Sequence, residues 1–197
     1  AFSKDNKNNL SWVIVFIGRL SVALGVIVSL ITVSTGLGSK KAIESRLANF
    51  SGHISIKSTR SNSSYNSSVL NKDELKLNDI KNLEEVSGTQ SYATVSGILR
   101  TEDNFDGVIL KGVAKDFDAE RFQDFMVSGE IPKFTEEGYN NQVILSQKIA
   151  DDLHLKAKDS IVAIFSKEDQ KPIYRKFEIA GIYKTDIKMI DDLFIIG

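Results

Sequence analysis

Residues 12–37 read Trp12-Val13-Ile14-Val15-Phe16-Ile17-Gly18-Arg19-Leu20-Ser21-Val22-Ala23-Leu24-Gly25-Val26-Ile27-Val28-Ser29-Leu30-Ile31-Thr32-Val33-Ser34-Thr35-Gly36-Leu37, 26 positions with Arg19 as the only charge. A bilayer core about 30 Å thick is crossed by about 20 helical residues at about 1.5 Å each, so the run is long enough to span a membrane with some tilt. Arg19 can lay its stem along the apolar surface and reach the headgroups, and Trp12 suits the same interfacial belt. Two other readings compete. A buried core helix rarely runs so far without a polar break, and the apolar part of a secretory signal is usually about 7–15 residues long, although Ser34-Thr35-Gly36 imitates a cleavage site. The run therefore predicts a transmembrane helix over 12–37, with 1–11 as an N-terminal tail and 38–197 as a second domain.

Small residues line one face of that helix: Ser21, Gly25, Ser29, Thr32 and Gly36. Hydrocarbon gives apolar side chains no reason to associate, so membrane helices meet through shape, and small side chains let them approach. That face is the candidate contact with another helix. The flanking charges do not orient the helix: Lys4, Lys7 and Arg19 on one side balance Lys40, Lys41 and Arg46 on the other.

Outside this stretch the chain looks like an ordinary water-soluble domain. The whole sequence holds 25 basic and 26 acidic side chains for a net charge of −1, which gives no electrostatic footprint for nucleic acid. It has no cysteine, which excludes disulfides, thiolate metal sites and cysteine nucleophiles. His53 and His154 stand alone, without ligand or triad partners at usable spacing. Gly36-Leu37-Gly38-Ser39-Lys40-Lys41 lacks the spacing of a phosphate-binding loop and follows no strand. The neighbours Asp151-Asp152 and Asp191-Asp192 are read as solvated side chains, since adjacent residues on a helix do not face each other. The four Asn-x-Ser sequons are read as chance in a sequence rich in Asn and Ser. No cofactor or metal is expected in this chain.

Periodicity predicts an α+β domain. Lys40 to Asn49 continues the helix, with Ile43 and Leu47 on one face, and Gly52 to Ile56 alternates like a strand. Ser58 to Ser68 is a polar loop. Asn71 to Val86 reads as a helix with Leu77, Ile80 and Leu83 on one face. Thr89 to Arg100 and Val108 to Val113 read as strands, and Asp118 to Val127 as an amphipathic helix stopped by Gly129 and Pro132. Val143 to Leu145 is a buried strand leading to a helix capped by Ser146. Ile161 to Phe165 and Phe177 to Tyr183 are a strand pair joined by the polar hairpin Ser166 to Lys176. Asp191 to Gly197 enters a strand without partner or polar tail, and the first residue is Ala1. Both are expected of a fragment.

The order of these elements resembles one transporter family. Gly18-Arg19-Leu20-Ser21-Val22-Ala23-Leu24-Gly25-Val26 is similar to the first membrane helix of FtsX-like/MacB-type ABC transporter permeases, with the lipoprotein-releasing (LolC/LolE) kind closest in pattern. Thr35-Gly36-Leu37-Gly38, the helix Lys40 to Phe50 and Ser51-Gly52-His53-Ile54-Ser55-Ile56 follow as in that family. So do Val108-Ile109-Leu110-Lys111-Gly112-Val113 with its acidic turn at Asp116-Phe117-Asp118, and Gly129-Glu130-Ile131-Pro132. The segment Val143-Ile144-Leu145-Ser146, Ile149-Ala150, Leu153-His154-Leu155-Lys156 matches, as does Phe177 to Tyr183 followed by Asp186 and Asp191. Lys158-Asp159 stands where the family has Gly-Asp, a change expected to be harmless in a turn.

The resemblance implies a MacB-type periplasmic core of two subdomains on the outer side of a bacterial inner membrane, with further membrane helices beyond Gly197. It also implies a non-catalytic permease subunit partnered by an ABC ATPase, which would hold the ATP and magnesium, and by a second permease subunit. The implied cargo is lipoprotein, or other periplasmic cargo, moved among membrane lipids. Lys171, Pro172, Tyr174 and Arg175 are the candidate contact with a periplasmic partner, on a hairpin shorter than the one by which some lipoprotein-releasing permeases grip their chaperone. Efflux and signalling to a cell-wall hydrolase are the alternatives within the family. A single-pass anchored binding domain is the alternative outside it, and a membrane-anchored hydrolase lacks a nucleophile and base.

Overall fold

The computed structural model describes residues 6–58, 65–71, 75–134, 140–166 and 171–197. One helix, α1, runs unbroken from Asn6 to Ser51. No proline interrupts it, and Ser29 and Thr32 donate their hydroxyls back to the Gly25 and Val28 carbonyls at 2.8 Å each. These two hydroxyls are thus satisfied within the helix, as hydrocarbon would require. Among the described residues α1 is the one helix long and apolar enough to cross a membrane. By internal contacts the chain divides into two units, Ala1–Arg46 and Leu47–Gly197.

Gly52 ends α1 in the left-handed region at φ +79°, with its N–H on the Ala48 carbonyl at 2.8 Å. The strand expected over Gly52 to Ile56 does not form. The segment is irregular and Ile54 is 84% exposed, because alternation makes a strand only where a neighbour supplies a ladder. Of the polar loop Ser58 to Ser68, residues 59–64 lie outside the described residues. Ser67 is tied to the sheet, its N–H donating to the Thr94 carbonyl at 2.8 Å. Of the helix expected over Asn71 to Val86, residues 72–74 lie outside the described residues, and in 75–86 only α2, Leu77–Lys81, is helical. Leu83 is half exposed, with no apolar surface to hold a longer helix in place.

The rest of the second unit is a sheet of β1 (Tyr92–Arg100), β2 (Phe105–Val113), β3 (Met126–Gly129), β4 (Gln142–Ser146), β5 (Ser160–Phe165), β6 (Ile173–Tyr183) and β7 (Phe194–Ile196), with α3 (Ala119–Gln123), α4 (Gln147–Asp152) and α5 (Lys188–Asp191) between them. The strand order is β3-β6-β4-β7-β2-β1-β5, and β5 also pairs with β6. Six strands therefore close on themselves, with β3 appended to β6. The long β6 makes this possible: Ile173–Glu178 pairs with β5, and Glu178–Tyr183 pairs with β4.

Closure gives the sheet an inside and an outside. Leu99, Val108, Val143, Leu145, Ile161, Ala163, Phe165, Phe177, Ile179 and Ile195 form one buried cluster from alternate strand positions, joined by Ile149 and Ala150 of α4 and by Leu153 just after it. Filling a small barrel with side chains in this way leaves no channel. The opposite face carries a second, aromatic cluster, including Phe50, Phe122, Phe125, Ile144, Tyr183, Ile190 and Ile196.

The α+β class holds, after one long apolar N-terminal helix. Among the described residues Leu47–Gly197 group as one unit by internal contacts, and a single sheet includes every strand. Two element assignments change as well. The helix expected to reach Val127 stops at Gln123, and Met126–Gly129 is a strand on β6. At φ +76° a Cβ on Gly129 would lie 2.2 Å from the Ala180 carbonyl oxygen, so this edge needs glycine. The C-terminal strand expected to lack a partner is β7, parallel to β2 and antiparallel to β4 in mid-sheet.

Candidate functional site

The chemistry of the second unit concentrates where the outer aromatic cluster meets the end of α1. Phe50, 6% exposed, packs its ring 5.5 Å from Phe194, edge to face, and 6.2 Å from Tyr183. Lys111 of β2 shares this face and is equally buried. Its ammonium donates to the Phe50 carbonyl and lies 4.3 Å from the centroid of the Phe50 ring and 5.3 Å from that of Tyr92. Burial lowers its pKa to about 8. The Tyr183 hydroxyl donates to the Phe194 carbonyl at 2.8 Å. Burial first, and then the Asp191 charge, push its pKa well above the usual range, so it stays a donor.

Asp191 closes the same region. One carboxylate oxygen accepts from the Thr185 N–H at 2.9 Å and the Thr185 hydroxyl at 2.8 Å; the other accepts from the Asp186 N–H at 2.9 Å. Its own carbonyl takes the hydroxyl of Ser146, which also caps α4 by accepting the Ile149 N–H at 3.1 Å. Asp191 is buried, not solvated as its place in an Asp pair suggested. The carboxylate fastens the turn after β6 to α5, and so sets the entry of β7. The other pair meets expectation: Asp151 and Asp152 are exposed, and Asp152 pairs with Lys148.

The remaining predicted residues fall in three places. Ser21, Gly25, Ser29, Thr32 and Gly36 all lie on α1, exposed within the chain, and a Cβ at Gly25 or Gly36 would meet open space. Lys171, Pro172, Tyr174 and Arg175 lie at the exposed start of β6, and 167–170 of their hairpin fall outside the described residues. His53 is exposed beyond α1 and opens no strand. His154 sits at φ +56° just past α4. There the N–H groups of His154 and Leu155 reach back to the Asp151 and Ala150 carbonyls at 3.3 and 2.8 Å, a glycine-type helix stop made with histidine.

Lys158, read as harmless, has φ +78°, a conformation costing a side-chain residue about 1–2 kcal/mol. It is held there by its N–H on the Ile179 carbonyl at 2.7 Å, while the Ile179 N–H donates to the Asp159 carbonyl at 2.8 Å.

The sequence reading missed Lys111 and Asp191 as buried polar groups. The one signal available for Lys111 was a charge inside the apolar run Val108 to Val113. Among the described residues no three of His, Asp and Glu converge as a metal site. What the arrangement can do is mechanical: it grips the end of a long helix and the entry of a central strand.

The MacB-like periplasmic core domain family matches residues 19–196. No curated protein matches the chain. The extracellular domain of YknZ, a noncanonic ABC-type transporter from Gram-positive bacteria, is similar at 16% identity and a TM-score of 0.41, over 61% of this chain and 58% of that one. The periplasmic region of MacB from Actinobacillus actinomycetemcomitans gives the same identity and TM-score over 61% and 51%. The chain thus spans less than two thirds of either structure. With the family match running from the middle of α1 to the last residue of β7, this chain belongs to the MacB-like periplasmic core domain family.

Proposed function

We propose that this chain serves as a permease subunit of an ABC-type transporter in a bacterial inner (plasma) membrane. In this reading α1 crosses the bilayer, residues 1–11 lie in the cytoplasm, and residues 38–197 lie outside. A partner ATPase holds and hydrolyses ATP. The permease does no covalent chemistry and converts that cycle into movement of the outer domain. The observation that carries the reading is the family match over residues 19–196, which takes in both the membrane-capable helix and the closed sheet. Lipoprotein drawn from the outer leaflet is the proposed cargo. The hairpin with Lys171, Pro172, Tyr174 and Arg175 is the proposed contact with a periplasmic partner, and the small-residue face of α1 is the proposed contact with a second permease subunit.

Purification of the native protein from membranes tests this. An ABC ATPase is expected to co-purify, and depletion of the protein is expected to leave lipoprotein in the inner membrane. Absence of any ATPase would sink the permease reading. Co-purification with normal lipoprotein release and lost drug resistance would move the cargo to efflux. Gly25→Leu puts a large side chain on the small face and is expected to weaken subunit association while domain unfolding stays unchanged. Undiminished co-purification would remove that face from the interface.

A further inference from the structure

Lys111 is an expensive residue for its position. On the outer face of the sheet its register neighbours are Thr94 of β1 and Ile196 of β7, and the face is otherwise lined by Ile196, Phe194 and Val113. A cation in such a place is normally paired or replaced by a hydrophobe of similar volume, which is often neutral or stabilising. Among the described residues no carboxylate forms an ion pair with it. Asp116, beyond the end of β2, accepts the Ser91 N–H at 2.8 Å. Tyr92 is the titratable group that faces it, and its hydroxyl is shared with Ser55 at 2.7 Å. From α1 it meets Phe50, and from β7 only apolar side chains.

What lysine supplies here and methionine cannot is a charged donor. The Phe50 carbonyl is among the last four of α1, which a helix leaves without a donor of its own and which carry the negative end of its dipole. Lys111 satisfies that carbonyl and lies over the ring of the same residue, so charge–dipole and cation–π attraction act together on one point.

We propose that Lys111 is a latch: its ammonium holds the last turn of α1, Leu47 to Gly52, on the outer face of the closed sheet, and that turn opens locally when an apolar side chain replaces the lysine while the sheet stays folded. Its bearing on transport rests on the permease reading, but its existence does not.

Hydrogen exchange on the full chain in lipid nanodiscs tests it, with wild type compared to Lys111→Met and Lys111→Arg. In Lys111→Met, the amides of Leu47 to Gly52 are expected to exchange about tenfold faster or more, with β4 and β7 unchanged or slower. Lys111→Arg restores protection. Unchanged exchange of the turn in Lys111→Met overturns the latch. So does equal loosening of turn and sheet, which is the behaviour of a merely structural residue. If Lys111→Met does not accumulate, Lys111→Gln, which loses the charge and keeps a polar donor, is compared with Lys111→Arg in its place, and unchanged exchange of the turn overturns the proposal. Failure of the permease reading shows separately, as an ATPase that does not co-purify.

Discussion

Leu24 of α1 and Leu145 of β4 are the same side chain in opposite circumstances: 53% exposed in the first case and 0% in the second. On α1 large apolar residues lie uncovered on every side, whereas inside the closed sheet they are packed to exclusion of water. The difference is what the proposed membrane-spanning α1 requires of one chain in two solvents. In hydrocarbon the backbone must satisfy itself and apolar side chains need no cover. In water the same side chains fold the chain by leaving the solvent.

Substituting the two leucines breaks or sharpens this contrast most strongly. Leu145→Ala is expected to cost the domain about 2–5 kcal/mol through lost burial and the cavity left behind, read as a fall in the urea midpoint. Leu24→Ala is expected to leave that midpoint in place. Equal effects would mean that α1 is a core helix. Asp191→Ala comes next. It removes the acceptor of the buried Thr185 N–H and hydroxyl and of the part-buried Asp186 N–H, and at about 1–3 kcal/mol for each buried donor that loses its acceptor, a loss of about 3 kcal/mol is expected. Surface Asp151→Ala is expected to change almost nothing, and both are measured by the same titration.

A third prediction concerns pH. Unfolded, Lys111 keeps its proton to about 10.5, while folded it gives the proton up above about 8. Between these values the unfolded chain binds more protons, so stability rises with pH, by up to about 3 kcal/mol at the upper end. Chemical unfolding of wild type and Lys111→Met at pH 7.5 and 10 checks it: the rise is expected in the first and missing from the second. The smallest effect is at Lys158. Lys158→Gly is expected to stabilise the domain by about 1 kcal/mol by relieving the left-handed strain, seen as a raised thermal midpoint. No gain there would mean that the Ile179 hydrogen bonds already absorb the strain.

These residues also show what was legible in the sequence. The run from Trp12 to Leu37 and the unit Val143 to Leu153 could be read because their signals are local: hydropathy and length in one, a strand followed by a Ser cap in the other. The strand β7 was read as unpaired because its partners, β2 and β4, lie far away in sequence, and no periodicity reports a pairing. Phe122, Phe125 and Met126 have helical spacing, yet the helix ends before the last two, because Gly129 must approach the backbone of β6. Closure of the sheet depends on β6 serving two partners in succession, which its sequence does not announce. Lys111 and Asp191 belong to this second class. Their meaning lies in what the fold brings to them, Phe50 in one case and the turn at Thr185 in the other. The small-residue face of α1 and the hairpin at Lys171 to Arg175 were legible as patterns, and the partners proposed for them are other chains.

The contrast between the two regions comes down to which side of a membrane each end of α1 faces. The chain has no cysteine, so single cysteines introduced as Ser3→Cys and Ser166→Cys report this without background. In intact spheroplasts a membrane-impermeant maleimide is predicted to label Ser166→Cys at once and Ser3→Cys only after permeabilisation. Labelling of both from the same side would contradict a membrane-spanning α1, and with it the account of one chain folded in two solvents.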